Sequence, residues 1–549
     1  MNTRKMLNLT RKQIDGAVQL AMLAVMIIFV SAGAQSTAAQ TAVTTYHYDN
    51  FRTGWNPTES TLTPANVTTK TFGVLHTVTL NDQVDAQPLV IPGVEITSGA
   101  HQGVHDVVYV ATEGNTVYAI DVHTGTILLS ANFGTPVSYP LGCGNNGPNV
   151  GINSTPVIDQ ASGTLYVMVY TQAATGPAYH LHSLQLGNLK DQVSPRLVVA
   201  SHTMTNGTTF NFNATYQRQR PALLLSDGNI YAGFGSFCDF AGNLSRGWLL
   251  GWNAASLEPF PSNQLNDQQP TDKQSFFLSS VWMSGYGPAT DDSGNILFVT
   301  GNSEAGTYDG LTNIQESVVK VPSTLTTVLD LFTPSNQIAL DQGDVDFGSG
   351  GVMVLPDQPG AITHLAVAAG KDGNMYLMNE DSLGGHSPKN NVLGVYSIGG
   401  CWCGESYYVD PNDGLGRVVS SGSPSIIVWK VQTSPKVSLF KLPPSTVPLD
   451  GWQGGGFFTS ISSNGNANPI IWAVSRPPNT KAAPIYLYAF NPDTGKAGTT
   501  IEELISLEAG AWPNLGGNSN LVPVVANGLV FVASNKQLKI FGLLADSSK

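Results

Sequence analysis

The chain has 549 residues, of which 42% are hydrophobic and only 11% charged, with 58 glycines, 33 prolines and a formal charge of −13. That balance argues against a nucleic-acid partner, which calls for a basic stripe to neutralise phosphates, and against an anionic membrane surface. Many turn formers with few charges indicate short strands around an ample core.

In chain order, Arg4, Lys5, Arg11 and Lys12 precede an apolar run from Ala17 to Val30, followed by small residues at Ala32 and Ala34. Basic, apolar and small-residue segments in this order read as a secretory signal over residues 1–34, with cleavage as late as residue 39 also compatible. The alternative is an uncleaved anchor, but the run is short for a span and no second apolar run of spanning length comes after it. Removing four basic residues and Asp15 takes the formal charge from −13 to −16. The expectation is an exported protein, periplasmic or extracellular, with no membrane span after cleavage and one domain over residues 41–545.

Beyond the leader, one unit recurs: an apolar strand, a Gly or Asn turn, a second strand and a polar turn. The clearest copy is "HDVVYVATEGNTVYAIDVHTGTILLSANFG", His105 to Gly134, and a late one is "PIYLYAFNPDTGKAG", Pro484 to Gly498. Weaker copies run from Ser154 to Gln172, from Arg220 to Ser236 with "RGWLLGWNAASLEP", and from Gly287 to Ser303 with "ESVVKV". Others run from His364 to Gly385, Arg417 to Gln432 and Leu521 to Leu543. Eight units of about 60 residues exceed the usual WD40 or kelch period. Long amphipathic helical periodicity is nearly absent. The pattern therefore predicts an all-β fold, an eight-bladed β-propeller of four-stranded antiparallel blades, in which radial closure protects the sheet edges. The segment "TLTPANVTTKTFGVLHTVTL" has no blade of its own and is expected to add outer strands to the last one. A parallel β-helix is the structural competitor, with shorter repeats.

The strand pairs bearing "AIDVHTG" and "AFNPDTG" resemble the A-x-D-x-x-T-G repeat of the quinoprotein alcohol dehydrogenases, which use pyrroloquinoline quinone (PQQ), and the resemblance extends over most of the mature chain. Non-enzymatic propellers share the repeat, so the site positions matter individually. "QVDAQPLV" is similar to the family's E-x-x-P-L-V segment and puts Asp85 at a cofactor-contacting position, one methylene shorter. "VWMSGYGPATDDSGNILFVTGN" resembles the segment carrying the tryptophan floor under the quinone and a calcium-binding Asn, which the resemblance assigns to Trp282 and Asn302, about two residues further apart than in the family. "DQGDVDFGSGG" resembles the segment of the catalytic Asp, which implies Asp346 as base and metal contact, with Val345 replacing the usual Trp. Asp341 and Asp344 make the stretch acidic enough for a hard cation. "AAGKDGNMYLMNEDSLGG" resembles the segment whose Lys reaches the quinone carbonyls, here Lys371, a cation placed to stabilise charge on a reduced quinone.

Several family features are missing. Only Cys143 stands where the family has adjacent cysteines, so a vicinal disulfide cannot form there, and Val150 stands where its Arg precedes Gly151. Gly242 occupies the position of the metal-binding Glu, leaving Asp239 as the nearest carboxylate, while Arg218 and Arg220 are candidates to replace the lost Arg. No C-x-x-C-H haem motif, G-x-S-x-G elbow or zinc triad is present. In "CWCGESYY", Cys401 and Cys403 read as structural, oxidised cysteines paired with each other or with Cys143 and Cys238, a redox role staying open. Trp402, Tyr407 and Tyr408 beside them suggest an aromatic ligand surface. Two functions fit these features. One is a dehydrogenase taking a small alcohol or sugar, with PQQ and calcium. The other is a non-catalytic propeller binding a protein, glycan or peptide over a degenerate cofactor site.

Overall fold

A computed structural model describes residues 40–545 apart from 145–146, 239–243, 262–278, 305, 312, 401–403, 421, 423, 446, 450–456, 476–482, 493–500 and 515–519. The chain divides into Met1–Gln40 and Thr41–Lys549, and the described strands all lie in the second unit. The signal-peptide expectation falls outside the described residues.

Eight antiparallel sheets succeed one another along the chain, one for each recognised repeat, and form an eight-bladed propeller. Blade one contains Leu89–Ile96, Gly103–Ala111, Thr116–Asp121 and Ile127–Asn132 in spatial as well as chain order. Blades two, five and six repeat that four-strand meander, beginning at Val157–Asp159, Val352–Leu355 and Ser406–Val409. In blade three, Leu224–Ser226 and Gln217–Gln219 both pair with Asn229–Ser236. Blade four, starting at Ala289–Thr290, gains Gly385–His386 as a parallel outer addition, and blade seven, starting at Thr459–Asn464, gains Trp55–Asn56 on its inner side. Blade eight departs from the four-strand expectation. It has three described strands, Val524–Ala526, Leu529–Leu543 and the N-terminal Phe72–Gln83, and the last of these closes the ring.

The repeated D-x-x-T-G turn has a local cause. Asp121 ends a strand, and its carboxylate accepts from the backbone N–H groups of His123 and Thr124, while Gly125 donates to the Asp121 carbonyl from φ 68°. A side-chain acceptor and a residue free to turn left-handed make the tight link between third and fourth strands. Between blades, large rings fill the wedges: Trp248, Trp252, Trp472 and Trp512 are buried.

An unforeseen element lies at the centre. Residues 43–56 form a coil that hydrogen-bonds to the innermost strand of every blade. Val43 pairs with Val90, Thr44 accepts from Ile158, Asn50 donates to Leu225 and accepts from Thr290, Phe51 accepts from Val354, Thr53 from Tyr407 and Gly54 from Ile461, and Asn56 donates to Val525. Arg52, wholly buried, gives its guanidinium protons to carbonyls of Tyr46, Asp49, Leu223 and Pro288 and to the Thr45 hydroxyl. Five donors in a rigid fork suit a point where several backbone segments meet. No described helix is long and apolar enough to cross a membrane.

Candidate functional site

In an antiparallel meander, the start of the innermost strand and the turn between the second and third strands lie at the same end of the blade. Asp85, Trp282 and Asp346 precede innermost strands, whereas Asn302 and Lys371 occupy second-to-third-strand turns. Topology alone thus carries all five to one mouth of the ring.

Four of them meet. Asp346 is 2% exposed and lies in the link between blades four and five, just ahead of Phe347–Ser349. One carboxylate oxygen accepts from the Asn302 backbone N–H at 3.3 Å, and the other accepts from Lys371 Nζ at 2.5 Å. Lys371 also donates its backbone N–H to the Asp346 carbonyl at 3.0 Å. Trp282 stands against the same corner. A Cβ on Gly301 would come 2.5 Å from the Trp282 ring and 3.3 Å from Asp346 Oδ1, so only glycine admits this approach. The indole N–H donates to the Ser236 carbonyl at 3.1 Å, and the chain turns left-handed at Ser279, Met283 and Ser284 to deliver the ring. Such conformations cost energy and persist where the surroundings enforce them.

The corner is strongly acidic. Asp344, with φ 53°, accepts from Asn302 Nδ2 at 3.2 Å and lies 3.9 Å from Lys371 Nζ. Asp341, on the short helix Gln337–Gly343, accepts from the Ser303 N–H at 3.0 Å. Burial is the main reason the Asp341 carboxyl is pushed up to about 7, and burial also raises Asp344 against the pull of Lys371. A residue not singled out in the sequence joins them. Glu316 is wholly buried and accepts from the Phe347 N–H at 2.6 Å. Burial first, then the charges of Asp346 and Asp341, hold its carboxyl well above the usual range. A carboxylate two residues before a strand start, in "NIQESVVKV", is the available signal.

Asp85 lies elsewhere, in a second buried acidic group. Gln83 donates to it at 2.7 Å, and it lies beside the Glu113 carboxyl. Glu113 accepts from the Gly151 N–H and from Asn153 Nδ2, each at 2.6 Å, and Arg218 reaches Asn153 Oδ1 at 3.5 Å. Burial, followed by Asp85, raises the Glu113 carboxyl.

Cys143 is bonded to Cys238 across 95 residues, joining the link between blades one and two to blade three. Cys401, Cys403, Trp402 and Asp239 lie outside the described residues. The aromatic ligand surface is corrected in part: Tyr407 and Tyr408 are core residues, 2% and 1% exposed, and the Tyr407 hydroxyl accepts from Gln358 at 2.8 Å. Their side chains alternate into the two faces of blade six and pack against its neighbours.

The acidic corner fits a hard cation chemically. Asn302 Oδ1 and one Glu316 carboxylate oxygen are buried without a hydrogen-bond partner, and acceptors of this kind are satisfied by a metal ion.

No protein-family model and no curated protein matches the sequence. Solved structures do match. Quinohemoprotein alcohol dehydrogenase from Comamonas testosteroni aligns over 92% of this chain and 81% of its own, with TM-score 0.57 and 12% identity. The quinohemoprotein alcohol dehydrogenase ADHIIG from Pseudomonas putida HK5 covers 91% and 80%, with TM-score 0.57 and 13% identity. A europium-containing methanol dehydrogenase covers 91% and 98%, with TM-score 0.57 and 11% identity. The chain has its fold in common with them, the eight-bladed propeller of the quinoprotein alcohol dehydrogenases.

Proposed function

We propose that the protein is an exported dehydrogenase that oxidises a small alcohol or sugar with PQQ and calcium. The observation that carries this reading is the meeting of Trp282, Asn302, Asp346 and Lys371, which come from separate stretches of blades four and five and the links before them. Trp282 and Lys371 would hold the quinone, and Asn302 and Asp346 the metal. Bound PQQ would supply the two-electron acceptor that no side chain provides.

The chain's own residues have distinct tasks. Asp346 takes the proton of the substrate hydroxyl, and for that Lys371 has to turn away from Oδ2, where it now sits at 2.5 Å. The Lys371 ammonium then has an anionic neighbour to stabilise wherever charge develops on the acceptor. Trp282, gripped between Gly235 and Gly301, is a rigid support that loses little entropy on binding a flat ligand.

Protein incubated with calcium and PQQ should acquire quinone absorbance and reduce a dye when given primary alcohols or aldoses. Asp346→Asn should keep the cofactor and lose turnover. Absence of PQQ binding at micromolar concentration would remove the reading. It would leave the second, a propeller that binds a protein or glycan without chemistry. The bond from Cys143 to Cys238 and the apolar Val150 favour that alternative, because they replace the family's vicinal disulfide and Arg.

A further inference from the structure

We propose that Glu316 supplies the third protein ligand of a calcium-type cation, beside Asn302 and Asp346. The proposal rests on the dehydrogenase reading and fills the place left open by Gly242 with a carboxylate from a different blade.

Three independent costs fall on this one residue. Its carboxyl is wholly buried, one of its oxygens has no hydrogen-bond partner, and its backbone has φ 51°, a region that side-chain-bearing residues seldom occupy. An apolar side chain would remove the first two. Its position explains why they persist. Glu316 lies two residues before the third strand of blade four, Val318–Val321, and donates its N–H to the Gly301 carbonyl at 2.9 Å, so it is bonded to the residue before Asn302. Its second oxygen holds the N–H of Phe347, the residue after Asp346, at 2.6 Å. Glu316 is therefore bonded to both segments that carry the other two ligands. Asn302, 4% exposed, has its own Oδ1 unpartnered. Two carboxylates and an amide oxygen are donors of the type calcium selects. Among the described residues, no three carboxyl groups of this corner bring oxygens within 4.8 Å of one another. The Lys371 ammonium, which acts on Asp346 and on Glu316, is the cation that calcium would displace.

The test is calorimetric titration of the purified, chelator-treated protein with Ca²⁺, alongside Tb³⁺ luminescence sensitised by Trp282. The wild type should bind one ion. Glu316→Gln keeps an oxygen for the Phe347 N–H and loses the charge, so it should bind Ca²⁺ at least tenfold more weakly while melting higher than wild type without calcium. Glu316→Asp keeps the charge on a shorter arm and should also lose at least tenfold, which guards against a folding defect in the first variant. Asn302→Ala and Asp346→Asn should weaken the same site. If those two weaken binding and both Glu316 variants stay within twofold of wild type, the role of Glu316 is refuted and the dehydrogenase reading stands. If the wild type binds no Ca²⁺ at millimolar concentration, both fall.

Discussion

Glu405 offers a quantitative test of how the mouth of the ring treats buried acids. It precedes the innermost strand of blade six, as Asp346 precedes that of blade five, and it is buried with one carboxylate oxygen unpartnered. Burial pushes its carboxyl from the ordinary 4.5 to about 8, with only its own backbone N–H opposing the shift. In the folded protein it therefore stays protonated up to about pH 8, whereas the unfolded chain ionises it above 4.5. Its contribution to stability is accordingly greatest below pH 4.5, falls as pH rises through the interval and levels off above 8. At pH 7 the interval traversed is about 2.5 pH units at about 1.4 kcal/mol each, a loss of about 3 kcal/mol relative to acid pH. An unfolding entropy of about 2.1 cal/mol/K per residue over roughly 500 residues turns this into about 3 °C. Glu405→Gln is neutral at every pH and lacks this slope. Melting curves of both proteins between pH 4 and 7 should show the variant gaining about 3 °C on wild type as pH rises, whatever its offset at pH 4. A difference between the two that does not change with pH would refute the reasoning.

Other parts of the molecule make separate predictions. Arg52→Lys retains the charge but offers a single point donor to carbonyls from three parts of the ring. It should cost about 3–5 kcal/mol in urea unfolding, since each buried acceptor left bare costs about 1–3 kcal/mol. A loss below about 1 kcal/mol would show that the central coil holds without this fan of bonds. Cys143→Ala with Cys238→Ala removes a cross-link between residues 95 apart, and chain entropy puts the loss near 4–5 kcal/mol, about 4 °C in calorimetry. An unchanged melting temperature would mean the bond constrains nothing in the unfolded chain. Gly301→Ala would set a methyl 2.5 Å from the Trp282 ring, and should shift tryptophan fluorescence and weaken PQQ binding at least tenfold; retention of both would detach Trp282 from the site.

The repeat period was legible because each blade is local. Strand alternation, the Asp121-type turn and the apolar pairs are encoded within about 60 residues, so every sequence copy falls on one blade. The closing strand Phe72–Gln83 was also readable, as a strand without a blade. The central coil was not, since residues 43–56 have no periodicity and their partners are distributed from Val90 to Val525. Glu316 escaped notice for a related reason: the resemblance pointed to a carboxylate before Arg246, and nothing near residue 316 in the chain marks it as a neighbour of Asp346.

By itself the sequence determined the strands, their turns, their number of repeats and the residue types available at each turn, because these depend on neighbours along the chain. Only the tertiary structure decided which of those turns share a mouth and which acids face one another. It separated Asp85, paired with Glu113, from Asp346, paired with Lys371, and bonded Cys143 to Cys238. The reason is geometric: ring closure sets distances between residues hundreds of positions apart, and electrostatic and hydrogen-bond energies depend on those distances rather than on separation in sequence.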